Sequence, residues 1–182
     1  ASAQMLDRCR ANLDHRRLSV PIWLDRFEFF TAAPGQGAII LPAGSFQLMT
    51  TCAAVTAFLG RVRAALRPGG LLIFDLDPPM SFNSPHYRVR HWPHPKGGTL
   101  TLEEKPECTD HAARIVRYAH RYIWNGPDGI QTVQDETFVL RWWDMQQTID
   151  LLAAAGLRCV QIVHGYGAPD RYGQVMTCFA TP

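Results

Sequence analysis

The stretch RVRAALRPGGLLIFDLDPP, residues 61–79, decides the fold because it joins a helix, a tight turn and a strand. Its first residues continue an apolar stripe at helical spacing, and the Pro-Gly-Gly of residues 68–70 ends the helix and lets the chain reverse. Residues 71–74 are all apolar, which predicts a strand covered on both faces. Ligands bind at the carboxyl ends of strands in open α/β sheets, so we expect chemistry after Asp75 and Asp77.

The segments on either side of this stretch alternate between helix and strand. Helices are predicted to begin at Ser2 and at Thr50 or Thr51, and a later one to cover residues 144–155. Strands are predicted over residues 18–24, 38–41, 71–74, 159–164 and 175–180. This order is typical of an α/β protein with a parallel sheet and crossover helices.

The middle of the chain has a different character. Residues 80–98 are rich in proline and histidine, which predicts a long irregular connection that is a lid, a binding loop or disordered. Three strand-like stretches follow between residues 99 and 140, with turns expected at residues 106–110 and 125–129. We therefore expect one domain over 1–182, in which 79–140 form a lid loop and an antiparallel β insertion.

Composition excludes several classes of protein. At 182 residues and 47% hydrophobic content, the chain can bury a core as a single domain. A net charge of +2, with scattered basic residues, gives no reason to expect nucleic acid as a partner. No apolar run approaches the roughly 20 residues that cross a bilayer, so no membrane contact is expected. The five cysteines form no C-x-x-C pair, which favours reduced thiols and a cytoplasmic location.

Four segments in order resemble one known family. They are ASAQMLDRCRANL (1–13), GAIILPAGSFQLMTT (37–51), LRPGGLLIFDL (66–76) and LLAAAGLRCVQI (151–162). Together they resemble class I S-adenosylmethionine-dependent methyltransferases of the small-molecule type, which carry an antiparallel insertion over the active site. The resemblance implies a Rossmann-like, mostly parallel sheet and S-adenosyl-L-methionine as cofactor. It also implies methyl transfer to oxygen, nitrogen or carbon of a small organic molecule, in a protein that can form homo-oligomers.

One part of the family pattern is absent from this sequence. In the family, a glycine-rich loop follows the first strand and an acidic residue ends the second, and both would precede Ala1 here. We therefore expect the N-terminal strands to be absent from this chain, either because it is a fragment or because it is a short homologue. A short homologue would pair with a partner or would have abandoned the cofactor. The alternative function is therefore a non-catalytic, methyltransferase-like binding or assembly module that has lost the cofactor site.

The resemblance also implies positions for cofactor and substrate. Asp25, followed by Arg26, lies where the family accepts a hydrogen bond from the adenine amino group, although an aspartate can equally cap a turn there. Leu41, Pro42, Ala43 and Gly44 follow the fourth family strand, where small residues let the backbone approach the cofactor. The next residues, Ser45 and Phe46, are expected to contact substrate. An aromatic residue after a strand is nevertheless more often part of the core.

Candidate catalytic residues come from the insertion. Tyr118, His120 and Tyr122 alternate along a predicted strand and so share one face. If that face covers the active site, His120 is the candidate general base, Tyr118 assists it and Tyr122 contacts substrate. The alternative is a histidine that faces solvent. Trp142 would either form a wall of the substrate site or fill the core.

The remaining histidines are not expected to bind metal. His91 and His94 have H-x-x-H spacing and His86 is near, but Pro93 disfavours the helix that would place both imidazoles on one face. No cysteine or carboxylate completes a ligand set. The sequence therefore predicts no metal site.

Overall fold

The computed structural model describes residues 2–77, 86–168 and 176–182. These residues form three α-helices and two four-stranded sheets. In chain order the elements are α1 (Ala3–His15), β1 (Gln36–Leu41), α2 (Cys52–Ala65), β2 (Leu66–Leu76), β3 (Arg88–Pro93), β4 (Thr99–Asp110), β5 (Ile115–Asn125), β6 (Gln131–Arg141), α3 (Met145–Ala154), β7 (Arg158–His164) and β8 (Met176–Thr181). Among the described residues, no helix is long and apolar enough to cross a membrane.

The first sheet has the strand order β1-β2-β8-β7 and is mixed. β1 and β2 are parallel, whereas β8 runs antiparallel to both of its neighbours. The expected mostly parallel sheet therefore has one parallel pair among its described strands. The connection over 165–175 between β7 and β8 is shorter than the dozen or more residues that a parallel crossover usually needs, so an antiparallel return is favoured.

One face of this sheet carries the main hydrophobic core. Leu72, Phe74 and Leu76 project from β2 and are fully buried against α2 and α3. α2 begins where a side-chain cap was predicted, because Thr51 Oγ1 accepts from Ala54 N at 3.1 Å. The caps of α1 and α3 are Ser2 and Asp144. Each side chain accepts a hydrogen bond from the backbone N–H three residues later, at Met5 and Gln147.

The opposite face of the same sheet is only partly covered. The sequence predicted that residues 71–74 are covered on both faces, but Leu71 and Ile73 are only half-buried. Ile40, which is paired with Ile73 on that face, is 62% exposed. β1 is also an edge strand among the strands that the structure describes. The free edge and the open face therefore meet at β1.

The predicted strand at residues 18–24 does not form. This segment is irregular, and none of the described strands pairs with it. Pro21 lacks a backbone donor, and Trp23 and Leu24 are more than half exposed. A strand without a neighbour gains neither hydrogen bonds nor burial, which explains why local residue preference was not sufficient.

The second sheet is an antiparallel meander, β3-β4-β5-β6, as the sequence predicted for residues 99–140. The structure adds β3 within residues 80–98, which were expected to be irregular, while residues 78–85 lie outside the described part. β4 also continues through the turn expected at 106–110. It absorbs Pro106 in a register shift and turns at 111–114 instead.

Candidate active site

A cavity of about 250 Å³ lies between the carboxyl end of β2 and the inner face of the insertion. It is lined by Asp77, His86, Arg88, Glu104, Tyr118, His120, Phe138 and Leu140. A larger groove, of about 420 Å³, lies between α3 and β7 but has no carboxylate or imidazole in its lining. The cavity at β2 therefore brings together the strand end and the face of β5 that the sequence had singled out.

The inner face of β5 is formed by alternate residues. His120 is 8% exposed, and its ring stacks on Phe138 at a centroid distance of 5.1 Å. The rings of Tyr118 and Tyr122 flank it at 6.2 and 6.3 Å. Arg121, on the other face, is exposed and pairs with Asp135 at 3.2 Å. His120 therefore faces the cavity and not bulk water.

The neighbouring strand supplies a carboxylate to His120. Glu104 lies directly opposite His120 in the β4–β5 register, and His120 Nε2 is 3.7 Å from Glu104 Oε1. The second oxygen of Glu104 accepts a hydrogen bond from Arg90 Nη2 at 2.5 Å. The side chains of His120 and Glu104 are 10% and 15% exposed, so water screens their interaction only weakly.

Asp77 brings a second carboxylate to the cavity from the end of β2. Its backbone N–H donates to Gln47 Oε1 at 3.0 Å, and Gln47 Nε2 donates to its carbonyl at 3.3 Å. Burial, with a further contribution from Asp75, raises the pKa of the Asp77 carboxyl, while Arg88 opposes this shift. Gly44 has a φ of 65°, which favours glycine, and an added Cβ would also lie close to Gln47 Oε1 and Asp77 Oδ2, at 3.1 and 3.2 Å.

Asp75 forms hydrogen bonds to three separate segments of the chain. Its buried carboxylate accepts hydrogen bonds from Ala43 N at 3.0 Å, Thr177 Oγ1 at 2.9 Å and Tyr166 Oη at 3.0 Å. Ala43 has a φ of 57°, which is costly for a residue with a Cβ. The Asp75 contact therefore helps to hold the turn after β1 in its strained conformation.

The two tyrosines on the inner face remain protonated near neutral pH. Burial raises the pKa of Tyr118, with Glu104 adding to the shift and Arg88 opposing it. Burial also raises the pKa of Tyr122, which faces Glu136 and Glu104. Each phenol is therefore a hydrogen-bond donor and not a base. Tyr118 lines the cavity, whereas Tyr122 flanks His120 without lining it.

The predicted cofactor residues lie in two places. Asp25 Oδ1 accepts from Arg26 N at 2.8 Å, and Arg26 forms an ion pair with Glu28, so both make local contacts. Of the turn after β1, Leu41 is buried, Pro42 and Ala43 are exposed, and Gly44 is half-buried. Ser45 Oγ donates to the Pro42 carbonyl at 2.7 Å. The structure thus gives Asp25 the local bond of a turn and leaves residues 42–44 accessible.

Two residues predicted to contact substrate belong to cores. Phe46 is fully buried and stacks on Phe74 at a centroid distance of 4.6 Å, because the turn after β1 directs it under the sheet. Trp142 is 6% exposed and packs with Val116 in a small cluster at the base of the insertion. Of the two alternatives that the sequence left open for each residue, substrate contact or core, both positions agree with the core, since neither side chain lines the cavity.

Sequence reasoning did not assign roles to six cavity residues: Asp77, His86, Arg88, Glu104, Phe138 and Leu140. Signals were present for two of them, because Asp77 is at the strand end where chemistry was expected and Phe138 can be placed from the hairpin. The hairpin turn was expected at residues 125–129. If Asp128 is taken as the centre of the hairpin, Tyr118 pairs with Phe138, and this is the register in the structure. No group of three His, Cys, Asp or Glu residues that could hold a metal occurs in the described segments.

Comparison with known proteins identifies the fold. No protein-family model matches the chain, and no curated protein matches its sequence. Among solved structures, an S-adenosylmethionine-dependent methyltransferase from Clostridium acetobutylicum superposes with a TM-score of 0.82 at 12% identity, covering 99% of this chain and 72% of that one. The CcbJ methyltransferase from Streptomyces caelestis gives 0.72 at 14% identity, with coverages of 100% and 76%. The sugar N-methyltransferase KedS8 from Streptoalloteichus gives 0.71 at 15%, with coverages of 93% and 66%. The chain therefore has the fold of S-adenosylmethionine-dependent methyltransferases.

Proposed function

We propose that this chain transfers a methyl group from S-adenosyl-L-methionine to a small organic molecule bound in the cavity between β2 and the insertion. The observation that supports this most directly is the position of the cavity. It lies at the carboxyl end of β2, where an α/β sheet binds ligands, and the buried His120 faces it from the opposite side. A cover over a strand end also excludes water from a transfer reaction.

The cofactor would be held on the β1 side of the cavity. When bound, S-adenosyl-L-methionine supplies an electrophilic methyl group on a positively charged sulfur. Leu41, Pro42, Ala43 and Gly44 form a turn with small side chains and an accessible backbone, which fits one wall of such a site. Asp25 would accept from the adenine amino group, beside Arg26, because a carboxylate that accepts one backbone N–H has acceptor capacity left.

The rest of the cofactor site would come from strands beyond this sequence. Among the described strands β1 is at the edge, and this edge and the 62% exposed Ile40 support a sheet that continues past β1, with the glycine-rich loop and the ribose-binding acid on the added strands. Further strands beside β1 would extend the parallel part of the sheet. They would give the Rossmann-like arrangement that the resemblance implies.

The acceptor that we favour is an amine. Its ammonium form suits a cavity with two carboxylates, Asp77 and Glu104, and with aromatic faces such as Phe138. The match to a protein described as a sugar N-methyltransferase supports the same choice over oxygen and carbon. Ser45, Tyr122 and the phenol of Tyr118 would orient the rest of the molecule.

His120 would act as the general base. It would take one proton from the ammonium group, which leaves the amine nitrogen with a free lone pair for the methyl group that the bound cofactor would supply. The imidazolium would later return its proton to water. Tyr118 donates a hydrogen bond and stays protonated throughout, since burial raises its pKa.

Calorimetry and turnover of the full gene product test this function. We expect binding of S-adenosyl-L-methionine and N-methylation of amino sugars or related small amines. His120→Ala should lower turnover by about 100-fold or more, as loss of a general base does, with cofactor affinity unchanged. Arg121→Ala, the adjacent residue on the outer face, should change neither quantity. Absence of cofactor binding by the folded protein would reject the proposal.

The second candidate is a non-catalytic binding or assembly module with this fold. The local contact of Asp25 is compatible with this function too, because part of the acceptor capacity of that carboxylate is used by the backbone N–H of Arg26. This function predicts a folded protein that does not bind S-adenosyl-L-methionine even when all of the gene is expressed. It also predicts that His120→Ala has no biochemical effect beyond stability.

A further inference from the structure

We propose that Glu104 and Arg90 form a positioning pair for His120, in which Glu104 orients the imidazole and balances the charge that it gains, and Arg90 shares the negative charge of Glu104. This inference rests on the proposed function, because it concerns the base of that reaction. Neither Glu104 nor Arg90 carries chemistry itself. Both are assigned here to the control of when and at which nitrogen His120 holds a proton.

The three side chains form a chain across three adjacent strands. Arg90 is on β3, Glu104 on β4 and His120 on β5, and Glu104 pairs directly with His120 in the ladder. One carboxylate oxygen accepts from Arg90 Nη2 at 2.5 Å and the other is 3.7 Å from His120 Nε2. Glu104 therefore has two cationic partners: Arg90, which is always charged, and His120, which is charged only when it holds a second proton.

The geometry selects one ring nitrogen as the base. A separation of 3.7 Å is too long for a good neutral hydrogen bond but is within ion-pair range. Glu104 favours a proton on Nε2, the nitrogen that it faces, so the lone pair is left on Nδ1. The ring of Phe138 stacks on the imidazole at a centroid distance of 5.1 Å and limits its rotation. With Nε2 facing Glu104, Nδ1 is the nitrogen that would accept the proton of the substrate.

Arg90 and His120 share the carboxylate of Glu104. A carboxylate at this distance, in a weakly screened site, stabilises an imidazolium. Because Arg90 bonds to the same carboxylate, it withdraws part of that stabilisation. The pair therefore supports the charge that develops on His120 during proton transfer, and Arg90 limits how strongly it does so.

Other charged groups also face His120, and they do not replace Glu104. The remaining titratable side chains around it are Asp77, His86, Arg88, Tyr118, Tyr122 and Glu136. Asp77 and Arg88 carry opposite charges and partly cancel. Glu136 is opposite His120 on β6, but it is exposed and accepts from Gln134 at 2.7 Å, so water screens it more strongly than Glu104.

The test compares two variants that are expected to act in opposite directions. The His120 imidazole is followed by NMR against pH in protein with labelled histidine, its signal being assigned by its loss in His120→Gln. Glu104→Gln removes the stabilising charge, so the titration midpoint should move to lower pH by roughly 1 unit. Arg90→Gln leaves Glu104 uncompensated, so the midpoint should move to higher pH. Glu136→Gln is the matched control and should move it far less than Glu104→Gln.

The acid limb of kcat/KM against pH should follow the same two shifts in the same directions. Midpoints that stay in place, or that move in the same direction in both variants, would overturn the positioning pair, since lost packing alone produces no such opposition. Opposite shifts in the NMR titration without any change in the rate profile would support the pair and contradict the use of His120 as base. Thermal unfolding of each variant confirms that the compared proteins are folded.

Discussion

The helix-covered sheet and the insertion sheet differ in how their strands are buried. In β2, Leu72, Phe74 and Leu76 have no exposed surface. In β6, by contrast, residues 131–138 are exposed throughout. The buried residues of β3 to β6 are Thr101, Leu102, Val116 and His120.

This difference separates stability from chemistry. The helix-covered sheet gains its free energy from apolar area, and its buried polar groups are mainly devoted to holding turns, as Asp75 is. The insertion buries little apolar surface, yet one of its buried residues is a histidine. A titratable group that is buried without being needed for a core is a candidate for function. We therefore expect substitutions in the two sheets to affect different measurements.

The largest effect on stability is expected from Phe46→Ala. This side chain is fully buried between Phe74, Phe58 and Trp143, so its loss leaves a cavity and should cost about 3–5 kcal/mol in the free energy of unfolding. The same substitution at Phe138, which is 37% exposed, should cost about 1 kcal/mol but reduce turnover. Urea unfolding measures the two free energies, and an activity assay measures the turnover of the Phe138 variant. Equal losses in the free energy of unfolding at Phe46 and Phe138 would contradict the distinction between the two sheets, because both would then belong to one core.

An intermediate effect is expected from Asp75→Asn. The amide keeps the shape but loses the charge that three donors share, which should cost about 2 kcal/mol. Asp150→Asn is the control, because Asp150 is exposed and its amide can still accept from Gln146. Chemical denaturation of the two variants gives the difference. A cost at Asp75 no greater than that at Asp150 would show that the turn after β1 is held by other contacts.

The smallest effect is expected from Asp77→Asn, and its sign is opposite. Because burial raises the pKa of Asp77 in the folded state, the ionised carboxylate destabilises the fold above its ordinary pKa of 3.8. The Asn variant should therefore be more stable than the native protein at pH 7, and this gain should vanish as pH falls through the raised value and below 3.8. Thermal melts over this pH range test it. A less stable variant at pH 7 would place Asp77 among the structural residues.

Local signals in the sequence predicted much of this fold. The caps at Ser2 and at Thr50 or Thr51 were readable because a cap acts on a backbone N–H within three residues, and the structure adds Asp144 as a third. The face shared by Tyr118 and His120 was readable because a strand alternates strictly. Both signals need no knowledge of distant parts of the chain.

Signals that depend on partners were missed or misread. β3 carries proline and histidine, and only its pairing with β4 identifies it as a strand. Residues 18–24 have strand-like composition but no described neighbour. Phe46 could have faced a ligand or a core, with the core the more frequent case, since hydrophobicity suits both. The Glu104–His120 pair required the register shift at Pro106, which no local pattern announces.

The pairing of β5 on both sides has a consequence for how this region can change in length. Because all of its residues from Ile115 to Asn125 are in register with β4 and β6, deleting one residue in the turn at 111–114 would move the strand by one position. The slip would present Arg121 to the cavity and His120 to water. Deletion or insertion of two residues would preserve which side each residue faces. Natural variation in this hairpin should therefore come in even steps, as if the strand had a two-residue reading frame.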